Sequence, residues 1–120
     1  MNKKTVVLGA SENPTRYSFL ATIKLLQKGI EVVPIGLRKG SIQGIEILTG
    51  QPKIENVHTV TLYLRAELQQ PLYNYLISLH PSRIIFNPGT ENTELERLAQ
   101  QNGIETTNAC TIVMLSIGDY

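Results

Sequence analysis

Residues 5–18 read TVVLGASENPTRYS, a short apolar stretch that is followed by a glycine and a polar loop. Thr5 to Leu8 are mostly β-branched and apolar, which is typical of a buried strand that ends at Gly9. Residues 18–28 then place apolar side chains at helical spacing, and Gly29 is a typical residue to end a helix. The order of strand, loop and helix predicts the first unit of a parallel sheet.

The same alternation continues to the end of the chain. Four further strands are predicted at 31–35, 57–63, 83–86 and 104–107, and residues 45–48 are a candidate for a short additional strand. Further helices are predicted from Pro71 to about His80, from a capping box of Thr93 and Glu96 to Asn102, and over 109–117. These elements predict an α/β fold, a Rossmann-type doubly wound three-layer sandwich with a mostly parallel five-stranded sheet, and residues 1–120 form one domain.

Composition limits the classes of function. The chain has 120 residues, one cysteine (Cys110) and a formal net charge of +1. A single cysteine excludes an internal disulfide, and a net charge near zero argues against nucleic-acid binding. No apolar stretch approaches the ~20 residues of a membrane span, so we expect a cytoplasmic protein without a membrane partner. Residues 1–80 carry nine basic and five acidic side chains, and this basic excess suits an anionic ligand or simply a solvated surface.

The loop after the first strand is the expected ligand site, because ligands of doubly wound folds bind at the carboxyl ends of the strands. Its sequence lacks the G-x-G-x-x-G pattern of dinucleotide-binding loops. Ser11, Ser18, the N–H groups that begin the next helix and the Arg16 guanidinium are all able to bind a phosphate. The alternative is a polar turn in which Ser18 is simply the helix N-cap.

The second strand is followed by a basic pair, Arg38 and Lys39. Domains that bind NAD usually carry an acidic residue near this position, which holds the ribose 2′-hydroxyl. A basic pair instead favours a phosphate on the ribose, as in NADP or coenzyme A, although it is also common in solvated turns.

Together these residues resemble the CoA-binding domain family, small stand-alone proteins similar to the N-terminal domain of succinyl-CoA synthetase α subunits. The resemblance extends over essentially the full chain. It rests on the order and spacing of four stretches, at 7–18, at 33–44, at 60–65, and at 87–92 with 103–105 and 109–110.

The resemblance implies coenzyme A as the ligand and assigns a role to each stretch. The diphosphate would be held by the first loop, through Gly9, Ala10, Ser11, Asn13, Arg16, Tyr17 and Ser18. The 3′-phosphoadenosine would face the segment Gly36, Arg38 and Lys39, and the adenine side would be lined by Tyr63, Leu64 and Arg65. The pantetheine or the phosphates would lie near Asn87, Pro88, Gly89 and Thr90.

The sequence therefore predicts a module that binds a small nucleotide ligand, coenzyme A or acyl-CoA, and is not itself an enzyme. No catalytic residue is predicted, because no general acid or base accompanies the loop. The alternatives are an NADP-dependent reductase or an acyl-CoA ligase component that acts with a partner, and an NAD(P)-binding regulatory module. A homodimer or a protein partner is compatible with each of these. Cys110 is either a small buried residue or a thiol near that of the ligand.

Overall fold

The computed structural model describes residues 2–120 as alternating strands and helices. The strands are β1 (Thr5–Leu8), β2 (Val32–Ile35), β3 (Gly40–Ile42), β4 (Ile45–Ile47), β5 (Thr59–Leu62), β6 (Arg83–Phe86) and β7 (Glu105–Asn108). The helices are α1 (Tyr17–Gln27), α2 (Ala66–Gln69), α3 (Tyr73–Ser78), α4 (Thr93–Gln101) and α5 (Thr111–Ser116), with a 3₁₀ turn (Gln70–Leu72) between α2 and α3.

Five strands form one parallel sheet in the order β2-β1-β5-β6-β7. Leu8 pairs with both Ile35 and Leu62, and Leu62 pairs with Phe86, so these strands end at the same edge of the sheet. The chain runs outward in opposite directions from β1 and from β5, which makes the gap between these strands the switch point of the fold. The predicted Rossmann-type α/β fold is confirmed.

Helices cover both faces of the sheet. Val6 and Leu8 point to the face that packs against α3 and α4, in a cluster that includes Leu76 and Leu95. Val7, between them in the strand, points to the other face and packs with residues of α1 and α5. The alternation of side chains along β1 therefore builds the two apolar layers of a three-layer sandwich.

A hairpin of β3 and β4 lies beside β2, outside the five-stranded sheet. Gly36 N–H donates to the Leu48 carbonyl at 2.8 Å, and Leu48 N–H donates to the Pro34 carbonyl at 2.9 Å. The strand predicted at 45–48 is confirmed as β4, whereas β3 was not predicted, because Gly40 and Ser41 are poor strand formers. The hairpin brings the segment after β2 over the carboxyl edge of the sheet.

Two helix starts differ from the sequence-based prediction. Asn92 caps α4, and its side chain accepts a hydrogen bond from Leu95 N–H at 3.1 Å, so the capping box predicted at Thr93 is wrong by one residue. Arg16 occupies the N-cap position of α1, and Ser18 is a buried residue within the helix, which overturns the alternative in which Ser18 is the N-cap. Ser18 is the second residue of α1 and therefore does not occupy the N-cap position.

The single helix predicted from Pro71 is instead two short helices joined by a 3₁₀ turn, and the first of them begins before Pro71. α2 starts at Ala66, and Pro71 lies in the 3₁₀ turn that leads into α3. Within residues 2–120, no helix combines the length and the apolar character that crossing a membrane requires.

Candidate functional site

A cleft of about 840 Å³ opens at the carboxyl edge of the sheet, above the switch point between β1 and β5. It is bounded by the loops that follow β1, β2, β5 and β6. Its lining consists of Gly9, Ala10, Ser11, Glu12, Asn13, Arg16, Tyr17, Ser18, Leu37, Arg38, Lys39, Ile47, Tyr63, Leu64, Arg65, Leu68, Pro88, Gly89 and Thr90.

The loop between β1 and α1 forms one wall and approaches the β5 backbone closely. Gly9 has a φ of +97°, and a Cβ at this position would lie 2.9 Å from the carbonyl carbon of Tyr63. A side chain would therefore be strained and would separate the two loops. The rest of the loop is held by local bonds, since Ser11 Oγ accepts from Asn13 N–H at 3.1 Å and Asn13 Oδ1 accepts from Thr15 N–H at 3.0 Å.

The N-terminus of α1 is part of this wall and has no side-chain cap. The N-cap residue, Arg16, makes no side-chain hydrogen bond to the helix, and the first turn holds no acidic residue. Backbone N–H groups at such a helix end have no partner within the helix and carry partial positive charge. The exposed Arg16 guanidinium adds a full charge, so this end of the cleft is suited to an anion.

The opposite wall is the segment after β2. Arg38 and Lys39 are exposed at the mouth of the cleft, and Ile47 of β4 lies behind them. Gly36, by contrast, is buried beneath this wall, where a Cβ would overlap the carbonyl oxygen of Ala10. The glycine therefore lets the segment after β2 pack directly on the backbone of the β1–α1 loop.

The charges on the lining have mostly one sign. The lining contains four cationic side chains, Arg16, Arg38, Lys39 and Arg65, and one carboxylate, Glu12. Arg65 pairs with Glu67, which lies outside the lining, at 3.3 Å, and both side chains are largely exposed. The described chain carries little net charge as a whole, so the cleft concentrates positive charge that composition does not reveal.

Tyr63 lines the cleft, and its ring packs against the cluster between the sheet and the α1–α5 layer. Within residues 2–120 its hydroxyl is buried and unpaired, and the nearby hydroxyls of Thr61 and Thr111 bond to each other at 2.7 Å. Burial raises the pKa of this phenol, the nearby Cys110 thiol raises it further, and the two threonines lower it slightly. The phenol is therefore neutral and lies within the core.

Asn87 fixes the ends of three elements beneath the cleft. Its Nδ2 donates to Thr61 Oγ1 at 2.7 Å and to the Leu62 carbonyl at 2.8 Å, and its Oδ1 accepts from Thr111 N–H at 2.8 Å. The side chain is buried and its hydrogen-bonding groups are used within the protein.

A second buried amide joins the loops after β5 and β6. Gln69 Nε2 donates to the Leu64 carbonyl at 2.7 Å and to the Thr90 carbonyl at 2.8 Å, while its Oε1 accepts from Asn92 Nδ2 at 2.9 Å. Leu64 and Thr90 both line the cleft, so Gln69 sets the spacing between its two rear loops. Gln69 was not predicted from the sequence, because a glutamine in a polar helical segment ordinarily faces solvent.

The structure brings together nearly all the predicted site residues. Gly36 and Asn87 do not line the cleft and support it from below, whereas the other predicted residues do line it. Glu12, Leu37, Ile47 and Leu68 line it and were not predicted. Glu12 and Leu37 adjoin predicted residues, whereas Ile47 and Leu68 gave no sequence signal. Cys110 is partly buried at the start of α5 and is not part of the lining.

Solved structures share this architecture over nearly the whole chain. A structure described as an uncharacterized protein is 48% identical, has a TM-score of 0.97, and matches 100% of this chain and 99% of its own. A Thermus thermophilus protein is 17% identical with a TM-score of 0.86, over 99% of this chain and 91% of its own.

One similar structure belongs to a larger protein, a dinucleotide-forming acetyl-coenzyme A synthetase of Candidatus Korarchaeum cryptofilum solved with phosphate and ADP. It is 19% identical with a TM-score of 0.71, over 89% of this chain and 25% of that chain. No curated protein sequence matches significantly. The sequence does match the CoA binding domain family over residues 3–116, which includes every residue of the cleft. The chain belongs to the CoA binding domain family.

Proposed function

We propose that this protein binds coenzyme A or an acyl-CoA in the cleft above β1 and β5, and that it performs no chemistry of its own. The observation that carries the proposal is the pair of cationic walls. On one wall, Arg16 stands beside the uncapped start of α1, and on the other stand Arg38 and Lys39. Coenzyme A has a diphosphate and a separate ribose phosphate, so its two anionic groups suit two such walls.

Membership of the family and the charge of the cleft support the same ligand. Arg38 and Lys39 follow the second strand, where an acidic residue would favour the free ribose hydroxyl of NAD. In our proposal they bind the 3′-phosphate, and the loop from Gly9 to Ser18 binds the diphosphate. NADP also carries a ribose phosphate, and we retain it as the alternative ligand.

A role in binding alone is supported by the side chains that face the cleft. Its lining within residues 2–120 contains Glu12 as its one carboxylate and contains no histidine or cysteine. The buried Tyr63 phenol, with its raised pKa, is poorly placed to exchange protons with a ligand. A catalytic step would therefore draw its acid or base from a partner.

The proposal is tested by thermal shift with coenzyme A, dephospho-coenzyme A, NADP and NAD. A ligand at about 100 times its Kd should stabilise the protein by about 2.7 kcal/mol. We expect coenzyme A to give the largest shift and dephospho-coenzyme A a smaller one. A shift with NADP and none with coenzyme A would establish the alternative ligand instead.

Arg38→Ala tests whether this side chain binds the ribose phosphate. A charge-assisted hydrogen bond is worth about 1.5–3 kcal/mol, so its loss should weaken coenzyme A binding roughly tenfold to a hundredfold. Dephospho-coenzyme A should be affected much less, because it lacks the phosphate assigned to this side chain. Equal losses for the two ligands, measured by calorimetry, would contradict the assignment.

A further inference from the structure

The carboxylate of Glu12 extends from the wall formed by the β1–α1 loop to the wall formed by the segment after β2. Ser41 N–H donates to Glu12 Oε2 at 3.2 Å, which links the β1–α1 loop to β3. Gly40 makes room for this contact, since a Cβ at position 40 would lie 2.7 Å from Oε2 and 2.8 Å from Cδ of Glu12. The side chain thus lies against bare backbone at the start of the hairpin.

The Ser41 N–H belongs to the same short segment as the basic pair. Arg38 and Lys39 precede Ser41 by three and two residues, and Gly40 between them and Ser41 has no side chain to cover the N–H. A backbone N–H beside two cationic side chains is the donor set that a phosphate group uses. In this structure that N–H is bonded to the one carboxylate of the cleft lining.

We propose that Glu12 is an internal anion that competes with the ligand's ribose phosphate for the Ser41 N–H and for the field of Arg38 and Lys39. This inference rests on the proposed function, in which the ribose phosphate binds at that wall. Binding of coenzyme A then requires the Glu12 carboxylate to turn away from Ser41. A ligand without the ribose phosphate leaves the Glu12–Ser41 contact in place.

Glu12 would therefore set the affinity difference between ligands with and without this phosphate. Its negative charge lowers affinity for the phosphorylated ligand, so the cleft retains a smaller preference for it than Arg38 and Lys39 alone would give. Removing the Glu12 charge should therefore increase the preference of the cleft for the ligand that carries the ribose phosphate. A side chain that instead bound ligand hydroxyls would have the opposite effect, because its removal would weaken binding.

The test is calorimetric titration of Glu12→Gln with coenzyme A and with dephospho-coenzyme A. Glutamine retains an oxygen that can accept from Ser41 N–H and removes only the charge. We expect coenzyme A affinity to rise about twofold to fivefold, in keeping with a single exposed charge, and dephospho-coenzyme A affinity to rise less. Glu12→Ala, which also removes the acceptor, should raise coenzyme A affinity at least as much.

Glu46→Gln is the matched control. Glu46 pairs with Ser41 across the hairpin, its side chain is exposed, and it does not line the cleft. We expect this variant to bind both ligands as the parent does. An equal gain in Glu46→Gln would show that any nearby charge has the effect, and it would overturn the role of Glu12.

Other results separate the two proposals. If the parent protein binds coenzyme A but Glu12→Gln binds it equally or more weakly, or gains equally for both ligands, the inference about Glu12 is wrong and the proposed function stands. If the parent does not bind coenzyme A, the proposed function fails and the competition fails with it.

Discussion

At the scale of single residues, glycines determine how closely the two walls approach. At Gly9 and Gly36 the atom nearest to an added Cβ would belong to a neighbouring backbone, that of Tyr63 and that of Ala10. Backbone cannot move aside as the end of a long side chain can, so these positions tolerate no Cβ. Gly40 differs, because its neighbour is the flexible end of Glu12.

The pair Gly36→Ala and Gly40→Ala tests this distinction. Neither glycine has a positive φ, so an alanine strains neither backbone directly. We expect Gly36→Ala to lower the free energy of unfolding by about 2–4 kcal/mol, because its Cβ overlaps the Ala10 carbonyl oxygen. Gly40→Ala should change it by less than about 1 kcal/mol. Urea denaturation measures the free energy of unfolding of both variants. A loss in Gly36→Ala as small as that in Gly40→Ala would show that small shifts relieve the contact with the Ala10 backbone.

At the scale of elements, buried amides hold the loops at the carboxyl edge of the sheet. Asn87 joins the ends of β5 and β6 to the start of α5, and Gln69 joins the loop after β5 to the loop after β6. Short strands of four residues offer few ladder bonds beyond their ends, so the loops depend on these side chains for their position.

Asn87→Asp tests how much one such amide contributes. The substitution keeps the shape but loses the donor that bonds Thr61 and the Leu62 carbonyl, and it places a charge in a buried position. We expect a loss of about 2–4 kcal/mol in the free energy of unfolding at neutral pH.

The control for Asn87→Asp is Asn74→Asp. Asn74 is exposed on α3, and the same change there should cost less than about 0.5 kcal/mol. Denaturation of the two variants under one set of conditions gives the comparison. Similar losses in both would mean that the network at Asn87 adds little to stability.

At the scale of the whole molecule, tyrosines that are partly or wholly buried make the stability depend on pH in the alkaline range. Burial raises the pKa of Tyr63, Tyr73 and Tyr75. The folded protein therefore holds these protons more tightly than the unfolded chain, whose tyrosines have a pKa of about 10. Their contribution is constant below about pH 10 and falls as the pH rises above it.

Tyr63→Phe should make this alkaline loss shallower, because phenylalanine has no proton to release. Tyr17→Phe is the control, since it removes the same hydroxyl from a residue that is 75% exposed. Urea denaturation between about pH 8 and 11 measures the slope for each protein. A slope in Tyr63→Phe equal to that of the parent would show that Tyr63 does not contribute.

The fold was largely predictable because its evidence is local. The first strand, loop and helix can be predicted from features that follow one another in the sequence. These are the apolar residues Thr5–Leu8, the glycine after them and the helical spacing after residue 18. The cleft loops were predictable for the same reason, since they follow the strands. The contacts between loops were not predictable, because Gln69, Ile47 and the Glu12–Ser41 bond depend on segments that are distant in sequence.

The hairpin beside β2 has a consequence for how the sheet can grow. Leu48 bonds the Pro34 carbonyl and the Gly36 N–H, and so covers the end of the outer edge of β2. The opposite edge, β7, is a half-exposed polar strand with no element of residues 2–120 paired outside it. The strand edge that is free for main-chain pairing with a second molecule is therefore β7, on the opposite side of the sheet from the hairpin.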